Sequence, residues 1–186
     1  GMELHPAPPI GPPASGGRNI VIIYGAPLRA ANCRFRGGIR VNQSPVSAFH
    51  NCEFIFDNGN VDGGRFQPGA RLIFENCLYW SKGYLVGFYH DDPLVHDVAI
   101  EIKRSTFLSG YTPIWLGLRG PLSGPADEPP TAIRLAISGS VFDSAPVLGF
   151  DQRPEFLAKA AELPPAESEA ALFSLLQWQG ERNVFA

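Results

Sequence analysis

The chain has 186 residues, among them 20 glycines, 18 prolines and 13 phenylalanines, and a formal net charge of −3. A hydrophobic content of 45% is too high for a disordered chain, and no apolar run reaches the roughly 18 residues of a membrane span. With 15 basic against 18 acidic residues, wholesale electrostatic attraction to nucleic acid or anionic lipid is not expected.

From the N-terminus, Gly1-Met2 reads as an expression scar. Residues 5–17, HPAPPIGPPASGG, form a proline- and glycine-rich lead-in whose one large apolar residue is Ile10. Residues 1–18 are therefore set apart as scar and linker from a domain over 19–186. Three cysteines follow, Cys33, Cys52 and Cys77, without the pairing of a zinc motif. They share a different context. Each follows an asparagine and stands two residues before an aromatic, as Asn32-Cys33-Arg34-Phe35, Asn51-Cys52-Glu53-Phe54 and Asn76-Cys77-Leu78-Tyr79.

The frame continues through Ser105-Thr106-Phe107, Ser140-Val141-Phe142 and Asn183-Val184-Phe185, giving six copies. The aromatic column is Phe35, Phe54, Tyr79, Phe107, Phe142 and Phe185. Three residues before the Cys/Ser/Asn position stand Ala30, Phe49, Phe74, Ile102, Ile137 and Gly180. Five before it come Leu28, Ser47, Leu72, Ile100, Leu135 and Trp178. Alternate positions are mostly apolar, the period of a strand with one buried face. The connections between copies lengthen along the chain, as in a solenoid with loop insertions. Further apolar runs at 38–41, 84–88, 114–118 and 147–150 supply additional strands per repeat.

Short strands without intervening helices predict an all-β fold, a parallel β-helix of about six coils stacked about 4.8 Å apart. Buried phenylalanines would stack, Cys and Ser would form a chemically quiet ladder, and Asn32, Asn51 and Asn76 would occupy left-handed corners. One segment departs from the pattern. Residues 154–177 are rich in Ala, Glu and Leu and predict a short helical insertion broken at Pro164-Pro165. Ile55, Ile73, Leu78, Trp80, Leu108 and Val141 fall at outward positions. Either the helical insertion or the lead-in covers them, or they form a partner or ligand surface.

The repeat with its N-C/N-x-F signature resembles the single-stranded right-handed parallel β-helix proteins of the pectate-lyase-like superfamily, over about residues 19–150 and 175–186. The resemblance implies the right hand of the coil. It is compatible with lyases, hydrolases, epimerases, adhesins and non-catalytic domains, so it implies no single activity. It favours an extracellular or periplasmic setting. A polygalacturonase of this kind carries Asn-Thr-Asp, Asp-Asp, Gly-His-Gly and Arg-Ile-Lys in order. Here only Asp91-Asp92 and Ile102-Lys103 match, Glu101 stands in place of the arginine, and Gly-His-Gly is missing.

Candidate chemistry concentrates in two places. His90, Asp91, Asp92, His96 and Asp97 lie within eight residues and read either as metal or acid–base groups, with His90 and His96 as the metal ligands, or as a solvated acidic turn. Glu101 and Lys103 alternate with inward Ile100 and Ile102 and read either as a catalytic pair or as a plain outer-face ion pair. Arg29, Arg34, Arg36 and Arg40 crowd the first copy and suit an anionic ligand or a solvated edge. Trp80 and Trp115 are the candidates for an aromatic sugar platform. No pattern calls for a cofactor.

The chain stops inside its sixth unit, which reads as a domain cut from a longer protein. The function expected is a non-catalytic module of a larger bacterial protein. It would bind carbohydrate or act as an interaction surface, with other domains of the same chain as partners and no membrane insertion. The alternatives are a polysaccharide lyase or glycoside hydrolase acting on acidic glycans, through Asp91, Asp92, Glu101 and Lys103, and a sensory or scaffold region of a regulator such as a kinase.

Overall fold

Alternating apolar residues, interrupted every few positions by Asn, Gly or Arg, break the chain into strands too short to stand alone. The computed structural model describes residues 2–4, 19–56, 61–62, 69–90, 97–109, 111–118, 133–144, 146–150 and 176–186, which form strands, corners and no helix. A first strand, β1 (Met2–Leu4), precedes six rungs of three. Rung 1 holds β2 (Asn19–Tyr24), β3 (Leu28–Ala31) and β4 (Cys33–Phe35). Rung 2 holds β5 (Gly38–Asn42), β6 (Val46–His50) and β7 (Glu53–Phe56). Rung 3 holds β8 (Val61–Asp62), β9 (Arg71–Glu75) and β10 (Leu78–Ser81). Rung 4 holds β11 (Val86–His90), β12 (Val98–Lys103) and β13 (Thr106–Ser109). Rung 5 holds β14 (Ile114–Leu118), β15 (Ile133–Ser138) and β16 (Val141–Ser144). Rung 6 holds β17 (Leu148–Phe150), β18 (Leu176–Glu181) and β19 (Val184–Phe185).

Each sheet takes every third strand. Sheet A runs β1-β4-β7-β10-β13-β16-β19, sheet B runs β2-β5-β8-β11-β14-β17, and sheet C runs β3-β6-β9-β12-β15-β18. Every pairing is parallel. The repeat columns are the sheet registers. Phe35, Phe54, Tyr79, Phe107, Phe142 and Phe185 pair in succession through sheet A. Leu28, Ser47, Leu72, Ile100, Leu135 and Trp178 do so through sheet C.

The buried faces of the three sheets share one core. Phe49 and Phe74 from sheet C meet Phe54 from sheet A at centroid distances of 5.2 and 5.9 Å, edge to face. Ile39, Val61, Val86 and Ile114 close the core from sheet B. Along sheet A the rings of Phe107 and Phe142 stack at 4.8 Å, and Phe142 and Phe185 at 5.6 Å. Such contacts add to the large apolar area each ring removes from water.

The six C-to-A corners are Asn32, Asn51, Asn76, Arg104, Gly139 and Arg182, all left-handed with φ between 49 and 57°. A left-handed L-residue costs roughly 1–2 kcal/mol, so something must hold it there. Backbone bonds between rungs do so, including Asn32 N–H to His50 O at 3.0 Å and Asn76 N–H to Lys103 O at 2.9 Å. The asparagines add an amide ladder. Asn51 Nδ2 donates to Asn32 Oδ1 at 3.2 Å, and Asn76 Nδ2 donates to Asn51 Oδ1 at 2.8 Å.

The sequence boundaries need two amendments. Met2–Leu4, set apart with the scar and linker of residues 1–18, form β1 and pair in register with Cys33–Phe35. Of the expected helical insertion, residues 154–175 lie outside the described residues. Its last two, Leu176 and Gln177, are not helical but open β18, where they pair with Ile133 and Arg134. Leu176, half-buried, extends the inward column of Val98 and Ile133, and that packing outweighs local helical propensity.

Candidate functional site

Serines build the corners that lead from sheet A to sheet B. Ser81 Oγ accepts the Gly83 N–H at 2.9 Å, and the equivalent Ser109 Oγ accepts the Tyr111 N–H at 3.1 Å. These are turns of the side-chain-to-backbone kind that serine favours. Ser109 Oγ also donates to Gly83 O, and Tyr79 Oη donates to the same carbonyl, each at 3.1 Å, so successive corners are tied together. Burial pushes the Tyr79 phenol well above its ordinary range, which keeps it a donor.

From these corners aromatic side chains pass onto the outer face of sheet B. Gly87, Trp115 and Gly149 are in register on β11, β14 and β17. A Cβ added at Gly87 would lie 2.4 Å from Cε2 of Tyr84, so the Tyr84 ring rests on the space the glycine leaves. A Cβ added at Gly149 would lie 3.0 Å from Cγ2 of Thr112 and 3.1 Å from Cε3 of Trp115. The Tyr111 ring lies 5.7 Å from that of Trp115. Glycine is used here for close approach, not for a special φ. The result is a strip of rings, Tyr84, Trp115 and Tyr111, laid against a glycine floor.

Sheet C carries the charge. Glu101 accepts from Arg71 on one oxygen and from Lys103 Nζ on the other at 2.9 Å. Arg71, then Lys103, hold the Glu101 carboxyl below the usual carboxylate range. One rung back, Glu75 receives Arg104 on one oxygen and faces His50 Nδ1 at 3.1 Å with the other. Arg134 pairs with Asp97 at 3.0 Å. A general acid needs its carboxyl held protonated, and the partners of Glu101 do the reverse.

The other residues singled out by sequence fall as follows. Asp91, Asp92 and His96 lie outside the described residues, and His90 is the last residue of β11, in register with Leu118. Trp80 lies on the outer face of sheet A, in β10, so the two tryptophans do not form one platform. The four arginines disperse: Arg29 is on sheet C, Arg34 on sheet A, Arg36 one residue past β4 and Arg40 on sheet B. Arg34 pairs with Glu53 at 2.5 Å. Among the described residues no three His, Cys, Asp or Glu side chains gather where a metal ion could sit, and no helix is long and apolar enough to cross a membrane.

Tyr84, Tyr111 and the two glycines were not among the residues the sequence nominated. Their signal was present in Val86-Gly87-Phe88 and Leu148-Gly149-Phe150, where glycine takes an outward position of an apolar strand. Only the register that brings both beside Trp115 gives it meaning. No protein-family model, curated protein or solved structure matches the chain.

Proposed function

We propose that the three parallel sheets are the faces of a single-stranded right-handed β-helix of the pectate-lyase-like kind, and that this module binds carbohydrate without transforming it. The observation that carries the binding reading is the Tyr84, Trp115 and Tyr111 strip over Gly87 and Gly149. A pyranose ring has an apolar C–H face, and its C–H hydrogens suit the negative face of an aromatic ring. Gly87 and Gly149 let the Tyr84 ring and the indole lie close against the sheet. The topology supports the coil, because successive strands visit the three sheets in rotation six times. The ion pairs that Glu101 makes with both Arg71 and Lys103 support a structural role for Glu101 and Lys103.

The test is titration calorimetry with neutral and acidic oligosaccharides on the intact chain. Trp115→Ala is expected to abolish binding while leaving the circular dichroism spectrum unchanged. Gly149→Ala should weaken binding, because its methyl group displaces the indole. An intact chain that binds none of these glycans overturns the reading, as does release of sugar products during the titration.

A further inference from the structure

A polar side chain, Thr112, sits inside the aromatic strip of sheet B. It stands one rung on from Tyr84, because Ser81 pairs with Ser109 and Val86 with Ile114, which keeps the corner residues between them in step. Tyr84 lays its ring over Gly87, whereas Thr112 turns toward rung 6. Its Cγ2 and Oγ1 lie 3.0 and 3.2 Å from the point that a Cβ on Gly149 would occupy, and Trp115 Cε3 lies 3.1 Å from the same point. Hydroxyl and indole edge therefore meet over one glycine. Thr112 is 8% exposed. Other buried hydroxyls of the corners are spent on carbonyls: Ser105 Oγ donates to Lys103 O, Ser109 Oγ to Gly83 O and Ser140 Oγ to Ser138 O. Among the described residues the Thr112 hydroxyl has no such partner. It is not sealed in, since every side-chain oxygen or nitrogen shut off from solvent among the described residues is paired. Buried polar groups nearly always hold a hydrogen bond, so an unspent hydroxyl at a binding surface calls for a group on the ligand.

We propose that Thr112 is the polar anchor of this strip and makes it selective for neutral hexoses over pentoses, an inference that rests on carbohydrate being the ligand. The hydroxyl lies close to the glycine floor, at the edge of the indole and not over its face. A pyranose stacked on the indole holds its equatorial hydroxyls in the plane of its own ring, above that level. Its exocyclic hydroxymethyl arm can rotate below the ring plane and reach the threonine. A pentopyranose has no such arm and leaves Thr112 unpaired. A site built around a hydroxyl rejects an analogue that lacks the matching group, because its own polar atom then stays without a partner. Threonine brings no charge, so a neutral hydroxymethyl suits it better than the carboxylate of a uronic acid, whose desolvation it does not offset.

Titration calorimetry of the intact chain with cellohexaose and xylohexaose tests this, since the two chains differ only in the hydroxymethyl arms. Cellohexaose should bind about threefold to tenfold tighter. Thr112→Val removes the hydroxyl and nearly keeps the shape. It should lower the affinity for cellohexaose by about the same factor and leave that for xylohexaose unchanged, whereas Thr112→Ser should keep the preference. Circular dichroism checks that each variant folds, and the comparison of the two glycans on the unmodified chain needs no variant. Equal affinity of the unmodified chain for the two glycans overturns the proposal and leaves carbohydrate binding standing. So does a Thr112→Val chain that retains the preference, or binding of acidic glycans alone. An intact chain that binds no glycan overturns both.

Discussion

The first three rungs and the last three make the same corner with different chemistry. In the first three the left-handed residue is Asn32, Asn51 or Asn76, and the residue after it is a cysteine. The thiols of Cys52 and Cys77 donate long bonds to carbonyls, 3.3 Å to His50 O and 3.4 Å to Glu75 O. In the last three the left-handed residue is Arg104, Gly139 or Arg182, followed by Ser105, Ser140 and Asn183. There the side chains accept as well as donate. Cys77 N–H donates to Ser105 Oγ at 3.0 Å, Ser105 N–H to Ser140 Oγ at 3.1 Å, and Ser140 N–H to Asn183 Oδ1 at 3.0 Å. Sulfur is a weak donor and acceptor, so the thiol corners rely on the asparagine ladder and the hydroxyl corners on their own oxygens. The corner is a backbone requirement that either set of side chains can meet.

The cores differ in the same way. Around rungs 1 to 3 aromatic rings face each other from sheets A and C, with Phe54 touching Phe35, Phe49, Phe74 and Tyr79. In rungs 4 and 5 the sheet C positions are the aliphatic Ile100, Ile102, Leu135 and Ile137. Rung 6 keeps the pattern with Trp178 and Phe185 at 45% and 58% exposure.

The largest test of this contrast is Phe54→Ala, which removes a fully buried ring from the aromatic half and should cost about 3–5 kcal/mol in chemical denaturation. Phe185→Ala, at the exposed end of the same column, should cost far less. Equal losses would mean that the two halves do not differ in how tightly they are packed.

Next is Ser105→Ala, expected to cost about 1–3 kcal/mol because the Cys77 N–H loses its buried partner. Cys52→Ala should cost less, since its thiol bonds are weak and the alanine methyl keeps part of the buried contact, leaving no backbone donor unpaired. The reverse order in denaturant midpoints would show that the thiol corners are the stronger ones. The neighbouring Cys52 sulfur, and then burial, push the Cys77 thiol up, so Cys77 should resist alkylation at neutral pH.

Smaller still is Gly139→Ala, which should cost about 1–2 kcal/mol. The nearest atom to the added Cβ is Arg104 Cγ at 3.8 Å, so there is room, and the cost is that of a left-handed alanine. Gly139→Asn should recover most of it by importing the residue the first three rungs use. If asparagine does no better than alanine, its own tolerance of the left-handed region is not what makes those corners acceptable.

The smallest effect is on pH dependence. Arg71 and Lys103 depress the folded carboxyl of Glu101, so its contribution is present above the unfolded glutamate value of about 4.3 and fades as pH falls through the lower folded value. Glu101→Gln should therefore make the loss of stability below that pH shallower, measured as denaturant midpoint against pH. An unchanged acid limb would mean that the pair on sheet C contributes nothing to folding.

Much of the fold was legible because the buried columns recur with period two inside each strand, and parallel in-register stacking places equal positions on equal positions. The runs at 38–41, 84–88, 114–118 and 147–150 are sheet B strands for that reason. β8 escaped notice because two residues in a glycine-rich stretch show no period. Arg104 falls at a corner by sequence, but the left-handed conformation of Arg104 and Arg182 was invisible for a different reason. Arginine has no preference for that conformation, and the inter-rung backbone bonds impose it.

By itself, then, the sequence determined the repeat, its register and the aromatic column, since these follow from local alternation and a shared frame. Tertiary structure decided which outward residues share a face. The connections between strands set which sheet each run joins, and so Trp80 and Trp115, both outward by periodicity, part company onto sheets A and B. The same stacking brings Arg71 onto Glu101, 30 residues away, and Gly87 and Gly149 beside Trp115. Periodicity is a property of one strand. A binding surface is a property of neighbours across strands, which the sequence orders but does not place side by side.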